Sequence, residues 1–348
     1  MIERASEIVI CVGSGGVGKT SVASMLGMHY AQKGKKTLLI TIDPAQRLLD
    51  ALALKNSEGE PIRVPLSEVH GELYAFLPDL KKEWMDFLKA SIPEQDKLHG
   101  ISANHFYRYM AEGFAGSLEI IVCHILYRLI HARHYDVIVL DTPPSTHSLS
   151  FFEVPEKLSK VLELNVFQLL MRNRNSLFFR LSRKLAFFGS SILYKTLEKM
   201  VGSHFLSELI DFALSIDALY EPLYQRAQAM QHLLRDKNTA WVLVLRPTLR
   251  SVEDSILFRD ALRDKGIRLS QLIINQAMPS FALTQSSDAA INEIISRYER
   301  QKAYECALIE QVKSSFPGVP CYLLPLSLEE ENHTKIVQEM LSNYNRFF

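Results

Sequence analysis

Short apolar runs alternate with stretches of helical periodicity along the first part of the chain. Residues 7–12 form a β-branched run that ends in glycines, and residues 20–33 show helical spacing before Gly34. Residues 36–42 form the next apolar run. A strand, a loop, a helix and a second strand in this order predict a right-handed parallel βαβ unit.

Further apolar runs of four to six residues recur later in the chain. Runs of this kind are typical of central strands that helices cover on both faces. We therefore predict an α/β fold with a mostly parallel central sheet covered by helices. The runs lie at residues 136–140, 240–245, 272–275 and 321–324.

Two stretches between these runs read as helical, at about 80–133 and 156–234. We expect one domain over 1–348, with these inserts forming a helical subdomain. Within the second insert, leucines and a phenylalanine fall near one helical face and Arg180, Arg183 and Lys184 fall on another. A packed helix with a solvated basic face explains this pattern. A docking surface for an apolar partner segment or for peripheral membrane contact explains it too, and both interpretations stay open.

The charge and cysteine content narrow the class of protein. The 348 residues carry 39 basic and 39 acidic side chains, so the overall excess of positive charge that favours nucleic-acid binding is missing, and we expect no such partner. Charges interrupt the first residues and the later apolar stretches, which argues against a signal peptide and a membrane span and predicts a cytoplasmic protein. The 4 cysteines are scattered without a C-x-x-C pair, so neither a disulfide framework nor a zinc site within one chain is expected.

A glycine-rich loop follows the first predicted strand and precedes the first predicted helix. Its sequence matches the phosphate-binding pattern G-x-x-x-x-G-K-[ST] in the structural context that this pattern requires. The glycines let backbone N–H groups surround the phosphates of ATP, Lys19 adds positive charge, and Thr20 is the expected Mg²⁺ ligand. The predicted nucleotide-binding residues of this loop are Gly13, Ser14, Gly15, Gly16, Val17, Gly18, Lys19, Thr20 and Ser21.

Two aspartates follow predicted strands of the same sheet. Asp141 ends the run DVIVL, from where its carboxylate can reach a metal ion directly or through water, although a turn aspartate is the structural alternative. Asp43 comes just after the second strand, close to the loop in a βαβ unit, and can position the attacking water.

Three arginines follow the run AWVLVL, namely Arg246, Arg250 and Arg259. They can reach phosphate or a partner subunit, while solvated helix charges are the commoner explanation.

The order of motifs resembles that of the ArsA-type ATPases, a family that includes the arsenite-pump ATPase and the targeting ATPase for tail-anchored membrane proteins. The matching segments span most of the chain, and they read GSGGVGKTS, TIDPAQRLLDAL, LDTPPSTHSL, IINQAMP and LLPLSLEEE. The resemblance implies a P-loop NTPase fold with a helical subdomain. It also implies Mg-ATP hydrolysis, and two subunits whose packing depends on the nucleotide.

The same resemblance assigns roles to individual residues. Asp43 would be the switch I aspartate that assists water attack. Lys19, which the loop motif places at the phosphates, is the second predicted catalytic residue. The segment from Asp141 to Pro144 would be switch II, and Asn275 would contact adenine. Pro325 and Leu326 would lie near the base.

The chain departs from the family pattern in the loop. The family usually reads G-K-G-G-V-G-K-T, and its first lysine reaches the phosphates of the partner subunit, whereas this chain has Ser14 at that position. ATP binding should survive this change because Lys19 and the loop backbone remain. Turnover is expected to be slow, to use another cation or to be absent.

Two further departures concern cysteine. No C-x-x-C pair follows Asn275, so a zinc-bridged dimer is not expected, and only Cys123 lies in the helical region, which disfavours arsenite binding.

The sequence therefore predicts a cytoplasmic ATPase that forms a homodimer. It would couple ATP hydrolysis and dimer rearrangement to handling a client protein or apolar segment. One alternative is a nucleotide-dependent switch or scaffold with little turnover, which Ser14 supports. Another is a ParA/MinD-type positioning ATPase, although the D-P-A switch, the N-Q motif and the helical inserts favour the ArsA branch.

Overall fold

A computed structural model of the chain describes residues 7–42, 47–54, 59–66, 70–91, 117–142, 222, 224–327 and 333–347. By its internal contacts the chain divides into two compact units. The sheet unit comprises Met1–Pro78, Leu129–Leu149 and Leu234–Phe348, and the helical unit comprises Asp79–Arg128 and Ser150–Leu233.

One sheet of eight strands forms the centre of the sheet unit, with the order β3-β4-β2-β5-β1-β6-β7-β8 among the described residues. All neighbouring strands run parallel except β3, which pairs antiparallel with β4 at the edge. The predicted α/β class is confirmed. The strands are β1 (Glu7–Val12), β2 (Lys36–Thr41), β3 (Ile62–Arg63), β4 (Glu72–Phe76), β5 (Val137–Asp141), β6 (Thr239–Leu245), β7 (Gln271–Ala277) and β8 (Cys321–Pro325).

Among the described residues, helices separate consecutive strands along the chain except between β3 and β4. The burial of the strands agrees with their apolar sequences, because β5 is buried at every position and β1 at all but Glu7. The helices are α1 (Lys19–Gln32), α2 (Arg47–Ala51), α3 (Leu80–Ser91), α4 (Ser117–Ala132), α5 (224–235), α6 (Leu249–Asp264), α7 (Ala289–Ser315) and α8 (His333–Asn345).

The strand order determines which strand ends meet. From β1 the chain moves to β2 on one side, leaving the intervening place to β5, and later continues through β6 to β8 on the other side. The direction in which the chain adds strands to the sheet therefore reverses at β1. In open parallel sheets, ligands bind at the carboxyl ends of the strands next to such a reversal.

The strand β4, which lies between the edge strand β3 and β2, was not predicted from the sequence. It pairs with β2 over five residue pairs and has alternating burial, and Gly71 precedes it. A Cβ at Gly71 would lie 2.4 Å from the carbonyl oxygen of Lys35, so a side chain there would push β4 away from β2.

The described part of the helical unit contains a packed polar and aromatic cluster. Arg226 Nε donates to His124 Nδ1 at 3.0 Å, and the Arg226 guanidinium lies 4.6 Å from the centre of the Phe87 ring. Burial, together with the charges of Arg226 and Arg128, lowers the pKa of His124 from 6.5 to about 4. The predicted insert at 156–234 lies almost wholly outside the described residues, so the helical subdomain stays a prediction.

This cluster predicts a pH-dependent stability. The folded state holds His124 neutral. Between pH 6.5 and pH 4 the unfolded chain takes up a proton at His124 that the folded protein does not, so the free energy of unfolding is highest above pH 6.5 and decreases toward pH 4. His124→Asn keeps an acceptor for Arg226 but cannot titrate. Its melting temperature should fall less between pH 7 and pH 4.5 than that of the wild type, while the exposed His131→Asn should follow the wild type. Equal falls for His124→Asn and the wild type would exclude this role.

Candidate nucleotide site

The loop between β1 and α1 requires glycine at two of its positions. Gly13 has φ 153°, and a Cβ there would lie 2.1 Å from the carbonyl oxygen of Val244 in β6. Gly18 has φ 86°, and a Cβ there would lie 2.3 Å from Asn275 Nδ2. Both positions combine a left-handed conformation with a close neighbour, so any side chain would displace the loop.

The first turn of α1 follows this loop directly. Gly18 is the N-cap residue and provides no side-chain cap, so the first amides of α1 remain directed at the loop. Helix N-termini and loops of this kind bind anions through backbone N–H groups. Gly15 and Gly16 are exposed and Ser14 and Ser21 are half-buried.

Lys19 extends over the loop from the first residue of α1. Its side chain is buried, with 7% of its surface exposed. Its Nζ donates to the carbonyl oxygens of Gly13 and Ser14, each at 3.0 Å. The ammonium group is thereby held at the start of the loop.

A carboxylate and two hydroxyl groups meet beside Lys19. Asp141, at the end of β5, accepts a hydrogen bond from Thr20 Oγ1 at 2.7 Å and from Thr41 Oγ1 at 3.1 Å, both at Oδ2. Asp141 is 1% exposed. The three side chains belong to α1, β2 and β5, whose ends the parallel topology brings to one edge of the sheet.

The neighbouring residues fix the end of β5 against β1. Thr142 Oγ1 donates to the carbonyl oxygen of Cys11 at 2.7 Å. Burial first, and then the charge of Asp141, raise the pKa of the Cys11 thiol well above its usual value. Cys11 is therefore a neutral core residue at physiological pH.

Asn275 contacts the loop from the other side. It lies in β7, is 3% exposed, and its Nδ2 donates to the carbonyl oxygen of Val17 at 2.9 Å. The next residue, Gln276, adopts φ 57°, and the pairing of β7 with β8 is irregular between Ile274 and Ala277. Asn275 thus holds the backbone of the loop, a contact that the sequence did not predict.

Pro325 and Leu326 lie at the end of the neighbouring strand. Pro325 pairs with Ala277, and the amide of Leu326 donates to the carbonyl oxygen of Ala277 at 2.7 Å. Leu326 is exposed. These residues reach the same edge of the sheet as Asn275.

Some of the predicted site residues have no described position. Asp43, Pro143 and Pro144 lie outside the described residues, so the roles assigned to them stay predictions. Two residues with contacts at the site were not predicted, namely Thr41 and Ser251. The position of Thr41 at the end of a buried strand could have indicated a site residue. No sequence pattern indicated Ser251, whose Oγ lies 3.5 Å from Ser14 Oγ.

A mostly parallel sheet whose first strand and first helix are joined by a loop of the pattern G-x-x-x-x-G-K-[ST] is typical of P-loop NTPases. Within that class, residues 6–343 match the profile of the anion-transporting ATPase family, known as ArsA ATPases. The chain belongs to this family of ATPases, as its motifs indicated.

Individual relatives share a modest level of identity with the chain. ATPase GET3B of Arabidopsis thaliana is 25% identical over 77% of this chain and 63% of the relative, and ATPase ARSA1 of Chlamydomonas reinhardtii is 26% identical over 78% and 34%. A putative arsenical pump-driving ATPase 2 of Aquifex aeolicus is 22% identical over 96% of both chains. The chain thus spans less than two thirds of the length of the first two relatives.

Within the described residues, the structure contains no helix with the length and apolarity that a membrane span requires.

Proposed function

We propose that the chain binds Mg-ATP at the loop from Gly13 to Ser21 and hydrolyses it. The observation that carries this proposal is the convergence, at one edge of the sheet, of the loop amides, the Lys19 ammonium group and the Thr20–Asp141 pair. Family membership supports ATP as the nucleotide. Asn275 holds the loop through Val17 and, by resemblance, also lies near the adenine with Pro325 and Leu326.

The donor set at Asp141 fits a magnesium ion. Mg²⁺ prefers oxygen ligands and is held in nucleotide sites by one or two protein oxygens together with phosphate oxygens. Thr20 Oγ1 and Asp141 Oδ2 are 2.7 Å apart and supply such oxygens. Thr20 would ligate the ion and Asp141 would hold it directly or through water, and the bound ion would neutralise phosphate charge.

The loop, Lys19 and Asp43 have separate roles in the hydrolysis step. The loop amides and Lys19 stabilise the negative charge that develops as water attacks the γ-phosphate and ADP leaves. Asp43 orients the attacking water. Ser14 adds no charge to the loop, so we expect slow turnover.

We further propose that the protein works in the cytoplasm as a homodimer, with nucleotide state setting how the two subunits pack. The helical unit would hold a client protein or apolar segment, and hydrolysis would reset the dimer. This part of the proposal is supported by the resemblance to ATPases that handle clients and by family membership.

A nucleotide-gated switch with little turnover is the second candidate function. The neutral side chain at position 14 favours it, because the loop then has Lys19 as its one lysine. In that case ATP would bind and rearrange the dimer without being consumed at an appreciable rate.

Steady-state phosphate release measured beside ATP affinity separates these two functions. If the enzyme proposal is correct, wild type releases phosphate, and Asp43→Asn loses at least about 99% of that rate while its ATP affinity stays near the wild-type value. Asp264→Asn, at an exposed aspartate that ends α6 outside the quoted motifs, is the matched control and should behave as wild type. Ser14→Lys should raise the rate.

One result would reject the enzyme proposal, and another would reject only the role of Asp43. Tight ATP binding without turnover in wild type, restored by Ser14→Lys, would establish the switch. Turnover that persists at the wild-type rate in Asp43→Asn would remove Asp43 from the mechanism.

A further inference from the structure

The carboxyl end of β6 lies directly against the start of the nucleotide loop. The carbonyl oxygen of Val244 is close enough to Gly13 to exclude a side chain there, with 2.1 Å to a Cβ. Arg246 follows Val244 by two residues, immediately after the end of β6. Because β6 pairs with β1, the position of Arg246 beside the loop is set by the sheet itself.

A hydrogen-bonded serine connects Arg246 to residue 14 of the loop. The amide of Arg246 donates to Ser251 Oγ at 3.0 Å, and Ser251 Oγ lies 3.5 Å from Ser14 Oγ. Ser251 is buried, and its carbonyl oxygen accepts from Ser255 Oγ at 2.6 Å. The backbone at position 246 is therefore fixed relative to the loop.

The side chain of Arg246 is exposed, and among the described residues no carboxylate forms an ion pair with it. Other arginines of the same unit do have such partners, since Arg259 and Arg263 pair with Asp260 and Arg297 pairs with Glu293. An exposed guanidinium group at a fixed backbone position beside the phosphate loop is thus available to a negatively charged ligand.

We propose that Arg246 contacts the phosphates of the ATP held by the same loop and supplies the positive charge that Ser14 does not provide. The guanidinium group suits this role because it stays charged and forms paired hydrogen bonds to phosphate oxygens. This inference rests on the proposed ATP site and adds a phosphate-contacting residue to it.

Arg250 provides a matched control one residue before Ser251. Successive residues of a helix point in directions about 100° apart, so Arg250 points in a different direction from Ser251, which contacts Ser14 of the loop. Arg250 has the same charge as Arg246, is also exposed and lies in the first turn of α6. If removing one positive charge has a general effect, substitutions of Arg246 and of Arg250 will lower ATP affinity alike. If Arg246 makes a specific contact, only its substitution will lower the affinity.

Calorimetric titration with ATP, ADP and AMP in the presence of Mg²⁺ tests the proposal. Arg246→Gln should weaken ATP binding about tenfold, the loss of one charge-assisted hydrogen bond, while AMP affinity stays unchanged. Arg250→Gln should stay within about twofold of wild type. Arg246→Lys should fall between wild type and Arg246→Gln, and the salt dependence of ATP binding should become weaker in Arg246→Gln.

The outcomes separate this inference from the proposed function. If wild type binds ATP and Arg246→Gln binds it as tightly as Arg250→Gln does, the contact is rejected and the ATP site stands. If wild type does not bind ATP at all, the proposed ATP site itself is rejected, and with it the contact of Arg246. Equal melting temperatures for the variants would show that a loss of affinity is not a loss of folding.

Discussion

Lys19→Gln is expected to weaken ATP binding about a hundredfold, which corresponds to about 2.7 kcal/mol. The side chain is 7% exposed and lies over the loop, where its Nζ donates to the carbonyl oxygens of Gly13 and Ser14. Glutamine can still donate a hydrogen bond, but it is one atom shorter and uncharged, so it cannot match the interaction of an ammonium group with the β- and γ-phosphates. Titration calorimetry with ATP in the presence of Mg²⁺ measures the effect.

Lys33→Gln is the control for this experiment, because Lys33 is an exposed lysine at the opposite end of α1. Its affinity for ATP should equal that of wild type. If Lys19→Gln folds as wild type and retains wild-type ATP affinity, the loop is not the nucleotide site.

Asp141→Asn is expected to lower ATP hydrolysis by about a hundredfold to a thousandfold. Its buried Oδ2 accepts from Thr20 and Thr41, and it is the one carboxylate of the described residues at this hydroxyl pair. An amide in its place is neutral and binds Mg²⁺ poorly, so the Mg²⁺ concentration for half-maximal activity should rise. The melting temperature without nucleotide should change little or increase, because removing a buried charge relieves a desolvation cost.

Asp136→Asn separates the metal role from a general effect of charge. Asp136 precedes the same strand at its amino end, where its carboxylate accepts from the exposed amide of Lys36 at 2.8 Å. This variant should keep the wild-type rate and Mg²⁺ dependence. An Asp141→Asn protein with an unchanged rate and an unchanged requirement for Mg²⁺ would remove Asp141 from the metal site.

The sequence predicted the centre of the sheet well because burial on both faces leaves a simple signal. The six strands inferred from continuous apolar runs all occur, with bounds that differ by one or two residues. The edge strand β3 and its neighbour β4 lacked this signal, since half-buried positions interrupt β4 and β3 has two residues. Their identity as strands depends on long-range pairing, of β4 with β2 and of β3 with β4, which no local pattern reports.

The candidate site shows the same division between local and long-range information. Residues 13–20 are recognisable because the loop motif is contiguous and its chemistry depends on its own backbone. The contact of Asn275 with Val17 joins residues far apart in the sequence, and the resemblance indicated adenine rather than the loop. The position of Arg246 likewise became informative only when the strand order placed β6 beside β1.

The most direct test of the ATPase proposal is a single-turnover experiment with wild-type protein in excess over ATP labelled at the γ-phosphate, in the presence of Mg²⁺. We expect ATP to bind and the label to be released as inorganic phosphate, slowly but nearly completely. Bound ATP that remains intact over many hours in a folded protein would contradict hydrolysis and leave the nucleotide-gated switch as the function of this chain.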